Sequence, residues 1–357
     1  MPQENPLISI VMPVYNSDDY LAGSIESILQ QTFRNFEFII ICDDPTENTK
    51  KIIDSFRQWD DRLQVIYQKR EGLVAALNKG CSLARGKYIA RMDADDISLE
   101  ERLKIQVDYM EGHPDIGLCG SAVRTFGEFE TTIKFPVADS VIKATLLFYN
   151  PFAHPTVIMR KEIMDSYDLQ YNDEFTFIED YELWVQFSKI SRFSNIDKVL
   201  LKYRIHPDKV STKSRPQQQK NACSVFAEQL EALDIPMDEK KLSLHLSLHS
   251  MDLSLHSPEF RHDQEFLLTI NAWLVELIEA NKRKNVYDNV ALVKVIAQIW
   301  TSHCIIGTKI GIRSWNLFYH SRLSDYISLT KMQKIKYLTA CMVNIEYLMK
   351  MKRLLRV

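Results

Sequence analysis

The feature that most constrains the fold is a regular alternation of short apolar runs and amphipathic segments in the first 120 residues. The apolar runs cover residues 7–14, 36–42, 63–67 and 88–92, and each has the length and composition of a buried strand. Repeated β-α-β units predict a parallel sheet with helices on both faces.

The three segments between these runs and the one after the last run are predicted to be helices, and the apolar residues in them lie on one helical face. The residues that mark these faces are Leu21, Ile25, Ile28 and Leu29 in the first segment, Ile52, Ile53, Phe56 and Trp59 in the second, and Leu103, Val107 and Met110 in the fourth. The third helix is predicted to end at Gly86 in the left-handed conformation. Ser98 and Glu101 predict a capping box for the fourth.

Composition bounds the class of protein. A chain of 357 residues is long enough for about two domains, and 46% hydrophobic with 25% charged residues is typical of a soluble globular protein. The net charge of −3 gives no global electrostatic argument for nucleic-acid binding. The six scattered cysteines include no C-x-x-C pair, which favours free thiols in a reducing compartment.

The start of the chain, MPQENPLISIV, carries an acidic residue and no basic region, so we expect no signal peptide. No uncharged apolar run approaches the roughly 18 residues that would span a bilayer. We therefore expect a cytoplasmic protein.

Acidic residues follow two of the predicted strands. Asp43 and Asp44 come after the second strand, and Asp93, Asp95 and Asp96 come after the fourth. Because ligands of parallel sheets bind beyond the carboxyl ends of the strands, both groups should open onto one edge.

The closely spaced aspartates after the fourth strand repel one another unless a cation lies among them. The segment is not an EF-hand, because Ser98 stands at the glycine position and Lys104 at the twelfth. A solvated loop without a ligand is one interpretation. The other is a hard divalent ion, Mg²⁺ or Mn²⁺, which binds one or two carboxylates and completes its shell with phosphate oxygens and water.

Several nucleotide-binding classes are excluded by their missing motifs. The sequence has no G-x-x-x-x-G-K-[ST] of a P-loop NTPase and no G-x-G-x-x-G after the first strand. It also lacks a glycine-rich loop with arginine at that place, which argues against nucleotidyl transfer.

Two further sites lie in the second part of the chain. From about residue 139 the pattern predicts a helix, a strand at 151–160, a helix at 177–190 and a closing strand at 199–206. Glu179 and Asp180 lie at the start of that second helix, where they either complement the helix dipole or supply a general base. His206 follows the closing strand and is either structural or completes a metal site.

The segment 207–221 is polar, contains prolines and predicts a boundary, and everything after it looks helical. His245, His249 and His256 fall roughly on helical spacing, so metal binding is one interpretation. We favour packed helices with polar faces, because leucine and serine alternate throughout this stretch.

Four segments together resemble the successive signatures of family 2 glycosyltransferases. They are ISIVMPVYNSDDYLAGSIESILQQTF, FIIICDDPTENT, GLVAALNKGCSLARGKYIARMDADDIS and FIEDYELWVQF. The resemblance runs in order from about residue 7 to 212. It implies the nucleotide-diphospho-sugar transferase (GT-A) fold, an α/β mixed sheet flanked by helices, in residues 1–212. The nucleotide-sugar half would be about 1–120 and the acceptor half about 121–212, followed by a mostly α-helical region at 213–357.

The resemblance also implies a role for each candidate residue. The nucleotide sugar would contact Pro13, Val14, Tyr15, Asn16, Asp43, Asp44, Asn78 and Asp93. Mn²⁺ or Mg²⁺ would be bound by Asp95 with Asp93 and His206. Asp180, with Glu179 beside it, would be the catalytic base of a single inverting displacement in which the metal stabilises the departing nucleoside diphosphate.

Two departures from the family pattern refine this expectation. Pro45 and Thr46 replace the glycine and serine of the usual D-D-G-S-x-D loop, so base contacts from this loop are in question. No Q-x-x-R-W motif occurs, which argues against a processive synthase. We therefore expect one sugar, favouring a UDP-sugar donor, to be added to a glycan or lipid-linked acceptor of a surface polysaccharide such as lipopolysaccharide, capsule or exopolysaccharide.

The last segment, 331–357, holds seven Lys or Arg residues against one Glu. It predicts peripheral contact with the anionic inner face of the plasma membrane, or simply a last helix with a basic face. Two other functions stay open at this point. One is a catalytically degenerate nucleotide-sugar-binding scaffold, and the other is a sugar nucleotidyltransferase.

Overall fold

The structure is a computed structural model that describes residues 5–206, 215–236, 238–248, 263–327 and 329–342. The chain divides into two compact units. The first comprises Met1–Ile142 and Asn150–Ala222, and the second comprises Lys143–Tyr149 and Cys223–Val357. The boundary predicted between residues 212 and 213 lies outside the described residues.

The first unit is built on a nine-stranded sheet in the order β3-β2-β1-β4-β8-β6-β9-β5, with β7 paired to β6. The strands are β1 (Ile8–Val14), β2 (Phe36–Asp43), β3 (Leu63–Gln68), β4 (Tyr88–Arg91), β5 (Ile97–Ser98), β6 (Ile116–Gly127), β7 (Thr132–Ile133), β8 (Ile158–Arg160) and β9 (Arg192–Ile205). Strands β1 to β4 are parallel, as predicted, whereas β8 is antiparallel to both of its neighbours. The sheet is therefore mixed.

The predicted helices occur in the predicted order, together with a short unpredicted one at residues 161–166. They are α1 (Asp18–Leu29), α2 (Glu47–Arg57), α3 (Leu73–Leu83), α4 (Arg102–Gly112), α5 (Asp139–Leu146), α6 (Lys161–Ser166), α7 (Glu179–Ser188), α8 (Arg215–Ala232), α9 (Glu239–Ser247), α10 (Gln264–Lys284), α11 (Asn289–Ile306), α12 (Ile312–His320) and α13 (Lys331–Met342). Every residue of β2 is buried, as expected of a central parallel strand covered on both faces.

Gly86 does not have the predicted role. Helix α3 ends at Leu83, and Gly86 does not have a positive φ. A Cβ atom at this position would lie 2.6 Å from the backbone nitrogen of Ser9 and 2.7 Å from the carbonyl carbon of Ile8. Glycine is therefore required here for close approach to β1 and not for a helix cap.

The predicted capping box of α4 is also wrong. Ser98 belongs to β5, and its Oγ accepts a hydrogen bond from Nε2 of Gln31 at 3.1 Å. Gln31 also accepts a hydrogen bond from the backbone N–H of Leu103 at 3.0 Å, so a residue from the end of α1 caps α4. The assignment of Trp59 to the apolar face of the second helix is wrong as well, because Trp59 lies beyond the end of α2 and is 86% exposed.

The second unit is helical in its described part. Helix α11 is long and apolar enough to cross a membrane, but 56% of it is buried inside the protein, and buried core helices pass the same test. His245 of α9 is fully buried; Trp273 donates to its Nδ1 at 3.2 Å, and its Nε2 lies 2.7 Å from the carbonyl oxygen of Leu147. His245 is therefore structural, as favoured above, whereas His249 and His256 lie outside the described residues.

Candidate active site

Three carboxylates gather just beyond the carboxyl end of β4. One oxygen from each of Asp93, Asp95 and Asp96 lies within 4.8 Å of the others. Asp96 is fully buried, whereas the side chain of Asp95 is 18% exposed and that of Asp93 is 25% exposed. The structure therefore brings the predicted aspartates together and leaves two of them accessible to a ligand.

Hydrogen bonds to main-chain atoms fix this loop. Ser24 Oγ donates to the carbonyl oxygens of Ala94 at 2.8 Å and Asp96 at 2.7 Å. Arg204 Nε donates to the carbonyl oxygen of Asp95 at 2.7 Å, and its backbone N–H donates to Asp96 Oδ1 at 2.8 Å. The carboxylates are thus presented by a rigid turn held from α1 and β9.

A guanidinium and an imidazole of the protein lie beside these carboxylates. Nη1 of Arg91 lies 2.5 Å from Oδ2 of Asp93, and Nε2 of His206 lies 3.1 Å from Oδ2 of Asp95. Burial disfavours the charge of Arg91, but the carboxylate of Asp93 outweighs it, so the pKa of Arg91 lies above its ordinary value. The charge of Arg91 therefore helps to offset the repulsion among the aspartates.

The residues predicted to contact the nucleotide lie at the ends of the neighbouring strands. Pro13 and Val14 end β1, and Tyr15 and Asn16 follow it on the surface, with Asn16 in the left-handed region at φ 50°. The guanidinium of Arg70 lies 4.6 Å above the ring of Tyr15. The ring and the cation together form a flat surface beside the strand ends.

Asp43 and Asp44 occupy different environments. Asp43 is buried and accepts hydrogen bonds from the backbone N–H groups of Glu71 at 2.8 Å and Gly72 at 2.9 Å. Its carboxylate therefore anchors the turn that begins α3. Asp44 is exposed, and its backbone lies in the left-handed region at φ 55°.

The loop that carries Pro45 is held by a residue that the sequence did not single out. Asp18, at the start of α1, accepts hydrogen bonds from the side chains of Thr46 at 2.8 Å and Asn48 at 3.2 Å, and from Thr49. These bonds supply order to a loop that lacks the glycine typical of the family.

The second acidic site lies at the first turn of α7. Asp180 Oδ1 accepts from the backbone N–H of Tyr181 at 2.7 Å, and Oδ2 accepts from Nδ2 of Asn150 at 2.8 Å. Burial raises the pKa of Asp180. Burial, followed by the charge of Asp180, raises the pKa of Glu179 to about 7. The pair is therefore not a pair of ordinary exposed caps, since capping at a helix N-terminus alone would lower both values.

The backbone that leads into α7 is unusual. Phe177 has a φ of 75°, a conformation that a bulky residue adopts only when its surroundings enforce it. Side chains of α8 hold this turn, because Asn221 donates to the carbonyl oxygen of Thr176 at 2.8 Å and Gln218 to that of Phe177 at 3.4 Å. Helix α8 thus helps to fix the segment that presents Glu179 and Asp180.

Sequence reasoning missed three residues near the second acidic site, one of which, Arg91, also lies beside the first. Arg91 is 4% exposed, and its charge lowers the pKa values of both Glu179 and Asp180. His154 lies with Nδ1 3.9 Å from Oδ2 of Asp180, and Tyr171 lies with its hydroxyl 2.9 Å from Nε2 of His154. Arg91 was hidden inside a predicted strand, and only the His-Pro dipeptide at 154–155 distinguished His154.

The side chain of Asn78 binds the backbone of Tyr171. Its Nδ2 donates to the carbonyl oxygen of Tyr171 at 2.7 Å, and its Oδ1 accepts from the backbone N–H of Tyr171 at 2.9 Å. The side chain therefore clamps the backbone of Tyr171 to α3.

A mixed α/β sheet with clustered carboxylates at its strand ends defines the GT-A class of nucleotide-diphospho-sugar transferases. The family model described as "Glycosyl transferase family 2" matches residues 9–167. The O-antigen biosynthesis glycosyltransferase WbnJ of Escherichia coli is 35% identical over 211 residues, which cover 56% of this chain and 80% of the relative. The chain belongs to glycosyltransferase family 2.

Solved structures agree on the fold. TarS of S. aureus in complex with UDP-GlcNAc superposes with a TM-score of 0.53 at 18% identity. The match covers 84% of this chain and 90% of the TarS chain. The mannosyltransferase PcManGT from Pyrobaculum calidifontis, in complex with GDP-Man and Mn²⁺, has a TM-score of 0.50 at 13% identity and covers 95% of this chain and 87% of its own. These structures establish the GT-A fold, and the family match together with WbnJ establishes the glycosyltransferase class.

Proposed function

We propose that this chain is a metal-dependent, inverting glycosyltransferase that adds one sugar to a hydroxyl of a glycan or lipid-linked acceptor in surface-polysaccharide assembly. The observation that carries the proposal is the convergence of Asp93, Asp95 and Asp96 at the carboxyl end of β4. The role of WbnJ in O-antigen biosynthesis supports the class of product.

The acidic cluster fits a hard divalent cation. Its carboxylate oxygens lie close enough together to share one ion, and oxygen ligands of this kind suit Mn²⁺ or Mg²⁺. Asp95, Asp93 and His206 would hold the ion, which when bound would offset the negative charge of the leaving diphosphate. The Mn²⁺ in PcManGT supports this assignment.

Asp180 is the proposed general base. Its two oxygens are oriented by Asn150 and by the N–H of Tyr181, so the carboxylate can take the proton of an acceptor hydroxyl without first reorganising. Glu179 lies beside it, and its Oε2 is buried without a hydrogen-bond partner among the described residues. Attack by the deprotonated hydroxyl in a single displacement would invert the anomeric carbon.

The donor is proposed to be a UDP-sugar, which the UDP-GlcNAc bound to TarS supports. Pro13, Val14, Tyr15 and Asn16 would line its nucleoside. We retain Asp43, Asp44, Asn78 and Asp93 as proposed contacts, directly or through the turns that they anchor.

Peripheral contact with the inner face of the plasma membrane is part of the proposal. Helix α13 is the described portion of the predicted basic segment 331–357. Its exposed side carries Met332, Ile335 and Met342 together with lysines, which is the pattern of a helix lying at an anionic interface.

Calorimetric titration with UDP, GDP, dTDP and CMP, each with Mn²⁺ and again with EDTA, tests the proposal. We expect UDP to bind only with Mn²⁺. Product analysis by NMR with the matching UDP-sugar should then show an inverted anomeric centre. Binding without turnover on any acceptor would favour a scaffold, and turnover of a sugar phosphate with a nucleoside triphosphate would favour a nucleotidyltransferase.

A further inference from the structure

His154 lies in a short 3-10 helix, His154–Thr156, immediately before β8. Strand β8 pairs with β4, so this turn lies next to the strand that ends in the acidic loop. The side chain of His154 is 10% exposed and contacts two aromatic rings, those of Tyr171 at 5.5 Å and Trp184 at 5.8 Å between centroids. The ring is therefore held in one orientation.

The two ring nitrogens have different partners. Nε2 lies 2.9 Å from the hydroxyl oxygen of Tyr171, and Nδ1 lies 3.9 Å from Oδ2 of Asp180. The second distance is within ion-pair range but longer than a hydrogen bond. Contacts of this kind in enzymes without bound substrate commonly shorten when the substrate arrives.

The protonation state of the ring follows from its surroundings. Burial, reinforced by the positive charge of Arg91, holds the pKa of His154 well below its ordinary value, so the ring is neutral and carries one proton. Burial holds the pKa of Tyr171 well above its ordinary value, so its hydroxyl keeps its proton. When Tyr171 donates to Nε2, the proton of His154 lies on Nδ1 and faces Asp180.

Tyr171 is itself fixed. Asn78 of α3 binds both its backbone N–H and its carbonyl oxygen, and the Tyr171 side chain is 97% buried. A continuous series of contacts therefore runs from α3 through Tyr171 and His154 to Asp180, independently of the Asn150 contact on the same carboxylate.

We propose that His154 is a positioning residue of the transfer step, whose Nδ1–H orients the Asp180 carboxylate and stabilises its ionised form while Tyr171 sets the tautomer. This inference rests on the proposed function, because it assigns His154 a role through the proposed base. Among the residues that the structure describes, the titratable or charged groups around Asp180 include Glu179 on α7, Arg91 on β4, and His154 and Tyr171 on the connecting turns.

The tautomer can be measured without activity. Selective ¹⁵N labelling of histidine and NMR correlation of the ring nitrogens, assigned with His154→Phe, should show His154 neutral at pH 7 and protonated on Nδ1. In Tyr171→Phe we expect this preference to weaken, because the hydroxyl that donates to Nε2 is gone. An Nε2-protonated ring in the unaltered protein would overturn the inference.

The kinetic test uses release of UDP from UDP-glucose, UDP-galactose and UDP-GlcNAc, with water as the acceptor in place of the sugar hydroxyl. His154→Phe keeps an aromatic ring and removes both nitrogens. We expect kcat to fall by about 10–100-fold with the KM for the donor unchanged, as is common when the partner of a functional group is removed. The acidic limb of the pH profile should shift to higher pH, because the ionised carboxylate of Asp180 has lost a hydrogen-bond donor.

His154→Asn keeps a side-chain N–H near the position of Nδ1, and it should recover part of the lost rate. In an Asp180→Asn background, His154→Phe should cause no further loss, since it acts through Asp180. His113→Phe, on the exposed end of α4, is the matched control and should leave the rate unchanged.

The outcomes separate this inference from the proposed function. If Asp180→Asn abolishes turnover and His154→Phe retains the full rate and pH profile, only the inference fails. If Asp180→Asn itself retains the full rate, the assignment of the base fails and the inference fails with it. If His154→Phe does not fold, the rate and the pH profile are measured on Tyr171→Phe instead, which removes only one oxygen from a packed ring.

Discussion

Nε2 of His206 lies 3.1 Å from Oδ2 of Asp95, although 111 positions separate the two residues in the chain. The contact exists because β9 ends beside the acidic loop, where Arg204 also binds the carbonyl oxygen of Asp95. Fold topology thus brings an imidazole nitrogen to the proposed metal site, whose other candidate ligands are carboxylates. This combination supports Mn²⁺ somewhat more than Mg²⁺, since Mn²⁺ accepts imidazole more readily.

Asp95→Ala should abolish the Mn²⁺-dependent component of UDP binding in calorimetry, because it removes the proposed carboxylate ligand. His206→Ala should weaken Mn²⁺ binding by about 10–100-fold and leave the fold intact. Asp108→Ala, which removes an exposed carboxylate from α4, is the matched control. Unchanged Mn²⁺-dependent binding in Asp95→Ala would remove Asp95 from the metal site.

Asp180→Asn should lower kcat by at least about 10²-fold, the usual contribution of a general base. The amide is isosteric with the carboxylate and can still contact the side chain of Asn150, so the Kd of UDP with Mn²⁺ should stay within about threefold of the unaltered protein. Kinetics and calorimetry on the same preparation test both expectations. Full activity in Asp180→Asn would refute the assignment of the base.

The raised pKa values at α7 predict opposite pH trends for activity and stability. Asp180 accepts a proton only when it is ionised, so kcat/KM should rise with pH through a window above the ordinary pKa of an aspartate. Glu179 has its pKa raised to about 7 in the folded protein, so between pH 4.5 and 7 the folded state binds more protons than the unfolded state. Its contribution should therefore lower the free energy of unfolding as pH rises, by at most about 1.4 kcal/mol per pH unit.

Glu179→Gln isolates that contribution, because glutamine has similar size and does not titrate. Denaturant unfolding at several values of pH should show a smaller loss of stability between pH 4.5 and 7 than in the unaltered protein. An identical pH dependence in the two proteins would mean that Glu179 does not titrate in this window.

The sequence was informative where a signal is local and periodic. Strands β1 to β4 and helix α7 were predicted because apolar spacing reports directly on burial. The capping of α4 by Gln31 could not be predicted, because Gln31 and Leu103 meet only after α1 and α4 have packed. The same holds for His154, because its contact with Asp180, 26 positions away in the chain, forms only in the folded protein.

Gly86 gives a prediction from such a packing constraint. Gly86→Ala places a Cβ atom against the backbone of Ile8 and Ser9, which no side-chain rotation can relieve, so we expect a loss of about 1–3 kcal/mol in the free energy of unfolding. Gly112→Ala, where nothing lies within 4 Å of the new atom, should change stability by less than about 0.5 kcal/mol. Thermal and denaturant unfolding of the two variants compare them directly, and equal stabilities would show that β1 accommodates the methyl group.

Membrane contact through α13 can be tested by reversing its charge. Met332, Ile335 and Met342 are 59–69% exposed, and they lie opposite the buried Tyr337 and Cys341 on the same helix. The exposed lysines Lys331 and Lys336 flank this apolar strip, and the exposed Lys334 lies nearer the buried side of the helix. Each basic residue near an anionic surface contributes about 1 kcal/mol. Changing all three to Glu should therefore lower binding to vesicles containing phosphatidylglycerol by at least about 100-fold.

The control for that experiment carries the same change in net charge on the first unit. Lys104, Lys134 and Lys198 are each more than half exposed, and replacing them with Glu should leave vesicle binding nearly unchanged if α13 is the contact. Sedimentation with phosphatidylcholine vesicles, with and without phosphatidylglycerol, measures both variants. Equal losses in the two would indicate that only net charge matters, whereas loss confined to the α13 variant would place the membrane against this helix.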